Sequence, residues 1–206
     1  MRLLALFAVP VCLAADLTTV LKAVEDRYNR VQTLQVGFTE EYVAAGRGRR
    51  KESGTLYLRK PGRMRWEYSS PPGKLFVSDG KFFYLYTPSN NRLHKTKVKQ
   101  SDDMRAPLAF LLGRLYFQQD FRRFESRPEG PDTWVAADPK SQDLPYTRVE
   151  FVVTPQSQIR RVLVHGQDKS VLDFTFDSER VNPALSATLF EFQAPAGAEI
   201  VEAVER

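Results

Sequence analysis

The side chains that most often carry chemistry are few in this sequence. Its two histidines, His94 and His165, lack the His-Glu-x-x-His spacing that places two imidazoles on one zinc ion. Asp102 and Asp103 could form an acid–base pair, but adjacent acids in a polar segment usually cap the helix that follows, and no converging partner is evident. The sequence also lacks a Gly-x-Ser-x-Gly nucleophile motif and a phosphate-binding glycine loop. We therefore predict a protein that is not an enzyme and that holds no metal and no cofactor.

The N-terminal residues 1–14 have the order of a secretory signal peptide. Arg2 precedes an uninterrupted apolar run, and Cys12 and Ala14 supply small residues at the positions that determine cleavage. We predict cleavage after Ala14 and export to the periplasm; a buried N-terminal strand is the competing interpretation. Cys12 is the only cysteine, and its lipidation is disfavoured because Val11 is too large for the position before a lipid-attachment site.

Composition and charge restrict the class of protein. The chain has 206 residues, 42% of them hydrophobic, which suits a globular fold. Its net charge of +5 is mild, and acidic and basic residues are mixed, so nucleic acid is not indicated as a partner. The densest basic run, residues 47–51, is expected to be a solvated hairpin loop; steering towards anionic lipid or an acidic partner is the functional alternative.

The apolar periodicity predicts one helix followed by a sheet. Apolar residues recur three and four positions apart over residues 16–31, with Asp16 as the N-cap. The period then changes to two, and turn residues separate about nine to eleven strands, the last of them over residues 189–192. A second helix, over residues 105–116, is apolar nearly all round and must be covered. No linker divides the chain, so we expect one domain over residues 15–206.

Two helices are little cover for the apolar face of so large a sheet. The sheet must therefore either close into a barrel filled by its own side chains or curve over a space that the helices cap. The second arrangement would form a lipid-sized pocket. Its predicted lining alternates along three strands and consists of Leu34, Val36, Phe38, Leu56, Leu58, Met64, Trp66 and Tyr68.

Two consecutive segments carry a resemblance to a known family. Residues 54–68 (GTLYLRKPGRMRWEY) predict a strand that ends in two basic residues and a proline, followed by a strand with a tryptophan. Residues 71–88 (PPGKLFVSDGKFFYLYTP) contain a Val-Ser-Asp-Gly-Lys turn, an aromatic run and a Tyr-x-Pro. With both predicted helices and the closing Phe-x-Phe-x-x-Pro-x-Gly at residues 190–197, they make the chain similar to the LolA family of periplasmic lipoprotein carriers.

The resemblance implies a mainly β fold with some α structure: an incomplete, half-open antiparallel β-barrel with a helical lid over an apolar cavity. It also implies that the protein accepts acylated lipoproteins from an inner-membrane lipoprotein-releasing ABC transporter and delivers them to an outer-membrane lipoprotein acceptor. We expect a monomer. The lid side chains that would fill the empty cavity, and leave it when acyl chains enter, are Leu108, Phe110, Leu111 and Leu112.

The resemblance further implies a latch for this lid. Family members carry an arginine before the strand-end proline, and it hydrogen-bonds lid carbonyls to hold the empty carrier shut. Here Lys60 occupies that position. Its ammonium is a compact charge rather than a planar fork of donors, so we expect a looser latch. Arg59 should not replace it, because neighbouring strand residues point to opposite faces.

The sequence leaves three other functions open. A periplasmic lipid-sensing regulator could use the same scaffold, although such relatives usually carry a second domain. A membrane-anchored lipoprotein acceptor would require lipidation of Cys12. A hydrolase of envelope lipid is disfavoured by the absence of a nucleophile motif.

Overall fold

The chain folds into one large antiparallel sheet with little helix. The computed structural model describes residues 16–44, 48–98 and 115–202. The predicted first helix is confirmed as α1, Leu17–Arg30, although Asp16, at its N-cap position, makes no side-chain capping hydrogen bond. Within the described ranges the sheet has 12 strands, more than the nine to eleven predicted. They are β1 Thr33–Val43, β2 Arg49–Arg59, β3 Arg63–Ser70, β4 Leu75–Asp79, β5 Phe82–Thr87, β6 Arg92–Lys97, β7 Phe121–Glu129, β8 Asp132–Pro139, β9 Tyr146–Val153, β10 Ile159–Gly166, β11 Val171–Val181 and β12 Glu199–Glu202.

The sheet remains open between its two edge strands. Its order is β12-β6-β5-β4-β3-β2-β1-β11-β10-β9-β8-β7, so β12 and β7 are the edges of the sheet as described. All neighbours pair antiparallel except β12 and β6, which run parallel. The predicted mainly β, half-open barrel is thus confirmed. None of the helices in the described ranges is both long and apolar enough to cross a membrane.

Most of the predicted second helix lies outside the described ranges. All four predicted lid residues, Leu108, Phe110, Leu111 and Leu112, lie outside the described ranges, as do Asp102 and Asp103. At the end of the predicted helix, Leu115 and Tyr116 are not helical. A short helix that the sequence analysis did not predict, α2 at Phe117–Asp120, follows them.

The prediction of a strand over residues 189–192 is wrong. Residues Ala187–Phe190 form a 3-10 turn, in which the Ser186 side chain accepts a hydrogen bond from the Thr188 amide. The turn packs on β3 and β4 on the face opposite α1, where Phe190 is buried and Phe192 stacks on Tyr84 with ring centroids 5.3 Å apart. The apolar alternation of this segment therefore reflects burial against the sheet, not pairing within it.

The basic run is also strand rather than a solvated loop. Arg49 and Lys51 belong to β2 and lie 3.9 and 3.8 Å from the carboxylate of Glu41 on β1. Arg47, the first residue of the run, lies outside the described ranges.

The Val-Ser-Asp-Gly-Lys motif ties two turns together at one end of the sheet. Asp79 accepts hydrogen bonds from the amides of Lys81 and Phe82 at 2.7 and 2.8 Å. Ser78 Oγ donates to the Gly62 carbonyl at 2.9 Å, which joins the β4–β5 turn to the β2–β3 turn. Burial opposes the charge on Asp79, but the amide hydrogen bonds outweigh it and hold the pKa of that carboxyl below its usual value.

Candidate functional site: the concave face

The register of β1, β2 and β3 gathers the predicted lining residues on one face. Leu34 pairs with Leu58 and Leu58 with Met64, while Leu56 lies opposite Trp66 on the next row. Each predicted lining side chain is at most 4% exposed. All eight belong to one buried apolar cluster, which lies on the face that α1 also contacts. Their placement fits a lining role, which itself stays a prediction.

The sheet curves strongly around this cluster, and we call the enclosed side its concave face. β3 and β11 are three strands apart in the sheet, roughly 14 Å at the usual spacing. Yet the rings of Trp66 on β3 and Phe174 on β11 have centroids 5.3 Å apart, with Phe38 contacting Trp66 at 4.7 Å. Side chains from distant strands therefore converge, as they do inside a barrel.

The predicted lining did not include the other half of the concave face. Strands β8 to β11 contribute buried apolar residues to the same cluster as β1 to β3. The signal was present, because all four of those strands were predicted from the sequence; only the direction in which their side chains face could not be assigned. These residues include Val135, Phe151, Val162, Leu172, Phe174 and Phe176.

Helix α1 lies across the concave face and is fixed there by its last turn. Leu21 and Val24 are buried in the cluster. Tyr28 donates its hydroxyl to Glu179 Oε2 at 2.9 Å and accepts a hydrogen bond from the Ile159 amide at 2.9 Å. Burial, reinforced by the charge of Glu179, raises the pKa of Tyr28.

The predicted latch residue contacts this helix. Lys60 Nζ donates a hydrogen bond of 2.7 Å to the main-chain carbonyl of Tyr28, near the C-terminus of α1. A cation at that position also complements the negative end of the helix dipole. Burial lowers the pKa of Lys60. The structure thus places Lys60 against a helix on the concave face, while its predicted contact with the lid residues stays a prediction.

Helix α1 also holds the chain where the predicted lid ends. Asn29 Nδ2 donates to the Leu115 carbonyl at 2.9 Å, and Asn29 Oδ1 accepts from the Leu115 amide at 2.6 Å. Glu25 accepts a hydrogen bond from the Phe117 amide at 2.7 Å. Leu115 and Phe117 are both 1% exposed, and they belong to the same cluster as the lining. This part of the segment is therefore firmly attached.

Both histidines lie in strands. His94 is exposed on β6, and His165 on β10 has its Nε2 2.8 Å from Glu150 Oε1. In the parts of the chain that the structure describes, no three histidine, cysteine or acidic side chains are grouped so that they could hold a metal ion.

Comparison with known proteins agrees with this geometry. A family model described as "Outer membrane lipoprotein carrier protein LolA" matches residues 29–193. An outer-membrane lipoprotein carrier protein from Nitrosomonas europaea is 26% identical over 203 residues, covering 97% of this chain and 98% of its own. Another from Chromobacterium violaceum is 28% identical over 173 residues, covering 82% and 81% of the two chains. An uncharacterised conserved protein from Thermus thermophilus has a similar fold, with a TM-score of 0.52, 16% identity and coverage of 90% and 98%.

Proposed function

The chain belongs to the LolA family of outer membrane lipoprotein carrier proteins, and from this premise we propose that it carries lipoproteins by holding their acyl chains against its concave face. The observation that supports the proposal most directly is the continuous buried apolar surface that β1–β3 and β8–β11 turn towards α1. The relatives are named as carriers, and the way this chain would hold its cargo is inferred from its own residues.

A carrier is needed because hydrocarbon is costly to expose to water. Each buried methylene contributes about 0.8 kcal/mol, so one long acyl chain left in water costs roughly 10 kcal/mol. The carrier must offer comparable apolar surface and still release its cargo. Exchange between the chain's own apolar cover and the acyl chains meets both needs, because apolar surface is buried in either state.

The lid residues Leu108, Phe110, Leu111 and Leu112 are proposed to supply that exchangeable cover, and Lys60 to help keep it in place. The attachment of Leu115 to Asn29 supports this assignment, because a cover that leaves the cavity needs a fixed end. The lining residues would then pack against either the cover or the acyl chains.

The route of the cargo belongs to the same proposal. After removal of residues 1–14, the single domain over residues 15–206 would act in the periplasm as a monomer. It would receive lipoproteins from an inner-membrane ABC transporter and pass them to an outer-membrane acceptor with higher affinity. Its function is transport without catalysis. A lipid-sensing regulator and a membrane-anchored acceptor are not favoured, since the curated relatives are named carriers.

The proposal is tested by what the protein binds when isolated from the cell envelope. Native mass spectrometry of the purified protein should show acylated lipoprotein in a 1:1 complex. Phe38→Asp, which puts a charge in the lining, should abolish this complex, whereas Thr39→Asp on the opposite face of β1 should not. Equal loading of both variants, or co-purification of no acylated species with the unmodified protein, would contradict the proposal.

A further inference from the structure

The concave face is apolar along most of its length, but its β1–β3 side ends in charges near the β1–β2 hairpin. Glu40 on β1 lies directly opposite Glu52 on β2, and their side chains point into the barrel because they continue the rows of Phe38 and Leu56. They are only 1% and 4% exposed. Two carboxylates directly opposite each other repel, so this arrangement persists only with compensating partners.

Those partners come from β2, β3 and the β3–β4 turn. Lys74 Nζ forms an ion pair with Glu52, and Arg50 Nε lies 3.1 Å from the other oxygen of that carboxylate. Tyr68 donates its hydroxyl to Glu40 Oε2 at 3.0 Å, and its ring centroid lies 4.2 Å from Lys74 Nζ. We call Glu40, Glu52, Tyr68 and Lys74 the polar band.

The polar band has its hydrogen-bonding needs met within the protein. Among the described residues, the buried side-chain atoms without a hydrogen-bond partner are Arg27 Nε and Asp132 Oδ2, and neither belongs to the band. A satisfied cluster of buried charges does not require a polar ligand. Hydrocarbon pressed against it, however, would have to displace a partner from a buried charge, which is unfavourable.

The band marks one end of the apolar surface that β1–β3 contribute, and the contact of Lys60 with the last turn of α1 lies at the other end. Lys60, which contacts Tyr28, follows Arg59, and Arg59 pairs with Thr33 at the start of β1; Glu40 lies seven residues further along that strand, a distance of roughly 23 Å. Hydrocarbon lying against β1–β3 therefore has apolar neighbours over a limited length, whereas on the β11 side Leu172, which pairs with Tyr42, continues the apolar cluster past the level of Glu40.

We infer that the polar band is an end wall that limits how long an acyl chain the β1–β3 side of the concave face accepts. The inference rests on the proposed function, because it concerns the length of the same cargo. Up to the band, each further methylene raises affinity about fourfold. Beyond it, further methylenes of a chain lying against β1–β3 add nothing, because they meet paired charges or water.

A chain-length series tests this. Saturated fatty acids from decanoate to eicosanoate, kept below their micelle-forming concentrations, compete with an apolar fluorescent dye for the full chain. The test variant is Glu52→Met with Lys74→Met, which makes the wall apolar. Its matched control is Glu52→Gln with Lys74→Gln, which has nearly the same shape and the same charge change but stays polar. Thermal unfolding checks that both are folded; if the methionine pair is not, Glu40→Met with Tyr68→Phe alters the same band.

The wild-type protein and the glutamine pair should show affinity that rises with chain length and then levels off. In the methionine pair the rise should continue, giving roughly a 16-fold gain for two methylenes beyond the wild-type plateau. The end wall would be overturned if the wild type and the methionine pair gave identical profiles, or if the glutamine pair gave the profile of the methionine pair. Either result would leave acyl binding itself intact. A wild-type protein that binds no member of the series would instead overturn the proposed function and the wall with it.

Discussion

Replacing Lys60 by methionine should destabilise the protein by loosening the end of α1. Methionine keeps the length of the side chain but removes the donor that reaches the Tyr28 carbonyl at 2.7 Å. That carbonyl also accepts the Val31 amide at 3.2 Å, so it is not left without a partner. The loss is therefore that of one charge-assisted hydrogen bond and one favourable charge at a helix C-terminus.

The magnitude follows from these two contributions. A hydrogen bond from a charged group contributes about 1.5–3 kcal/mol, and a cation at a helix C-terminus about 0.3–1 kcal/mol. Burial of the ammonium offsets part of this, as the lowered pKa of Lys60 indicates. We expect a net loss of about 1–2 kcal/mol, which lowers the melting temperature of a chain of this size by roughly 3–6 °C.

The assay is thermal unfolding of the wild type, Lys60→Met and Lys60→Arg, with amide hydrogen exchange of α1 read in parallel. Arginine retains a donor and a charge, so it should lose less stability than methionine. Exchange should accelerate in the last turn of α1 in the methionine variant. An unchanged or raised melting temperature in Lys60→Met would refute the role of this contact in holding the helix.

Four further outcomes are expected. Asp79→Ala should lower the free energy of unfolding by about 1–2 kcal/mol, measured by urea unfolding at neutral pH. Because folding lowers the pKa of Asp79, its charged form stabilises the fold at pH values above the unfolded pKa. The difference in unfolding free energy between wild type and variant should therefore narrow as the pH falls through the folded pKa. Asn29→Ala should speed amide exchange at Leu115 while β1 stays protected, since both hydrogen bonds between Asn29 and Leu115 are lost; equal protection in both proteins would contradict this. Phe110→Glu should weaken lipoprotein loading and leave far-UV circular dichroism unchanged; wild-type loading would remove Phe110 from the lid. The intact mass of the exported protein should correspond to cleavage after Ala14 with no lipid adduct, and a retained N-terminus would contradict the signal peptide.

Local pattern was enough to predict the elements that bury one face and expose the other. In β1 to β3 the side-chain period of two coincides with the burial pattern, so Val36 and Trp66 could be assigned to one surface before any contact was known. Helix α1 was predictable for the same reason, since Leu21 and Val24 lie on a single face.

Elements whose burial depends on distant partners could not be predicted in this way. Strand β7 is an edge strand with mostly exposed side chains, so it shows no alternation. Phe190 alternates as in a strand but is buried by a segment that crosses the outer face of the sheet. Glu40 and Glu52 break the apolar pattern, and their burial is explained only by distant partners, Tyr68 on β3 for Glu40 and Lys74 in the β3–β4 turn for Glu52.

The most direct test of the carrier function uses the two tryptophans of the chain, which lie on opposite faces. Trp66 is buried in the lining, whereas Trp134 stacks against Arg127 on the outer face and donates to Glu150 at 2.9 Å. A lipoprotein with brominated acyl chains should strongly quench the fluorescence of Trp66 in Trp134→Phe and hardly affect that of Trp134 in Trp66→Phe. Quenching that is equal in the two variants, or stronger at Trp134, would contradict binding of acyl chains at the concave face.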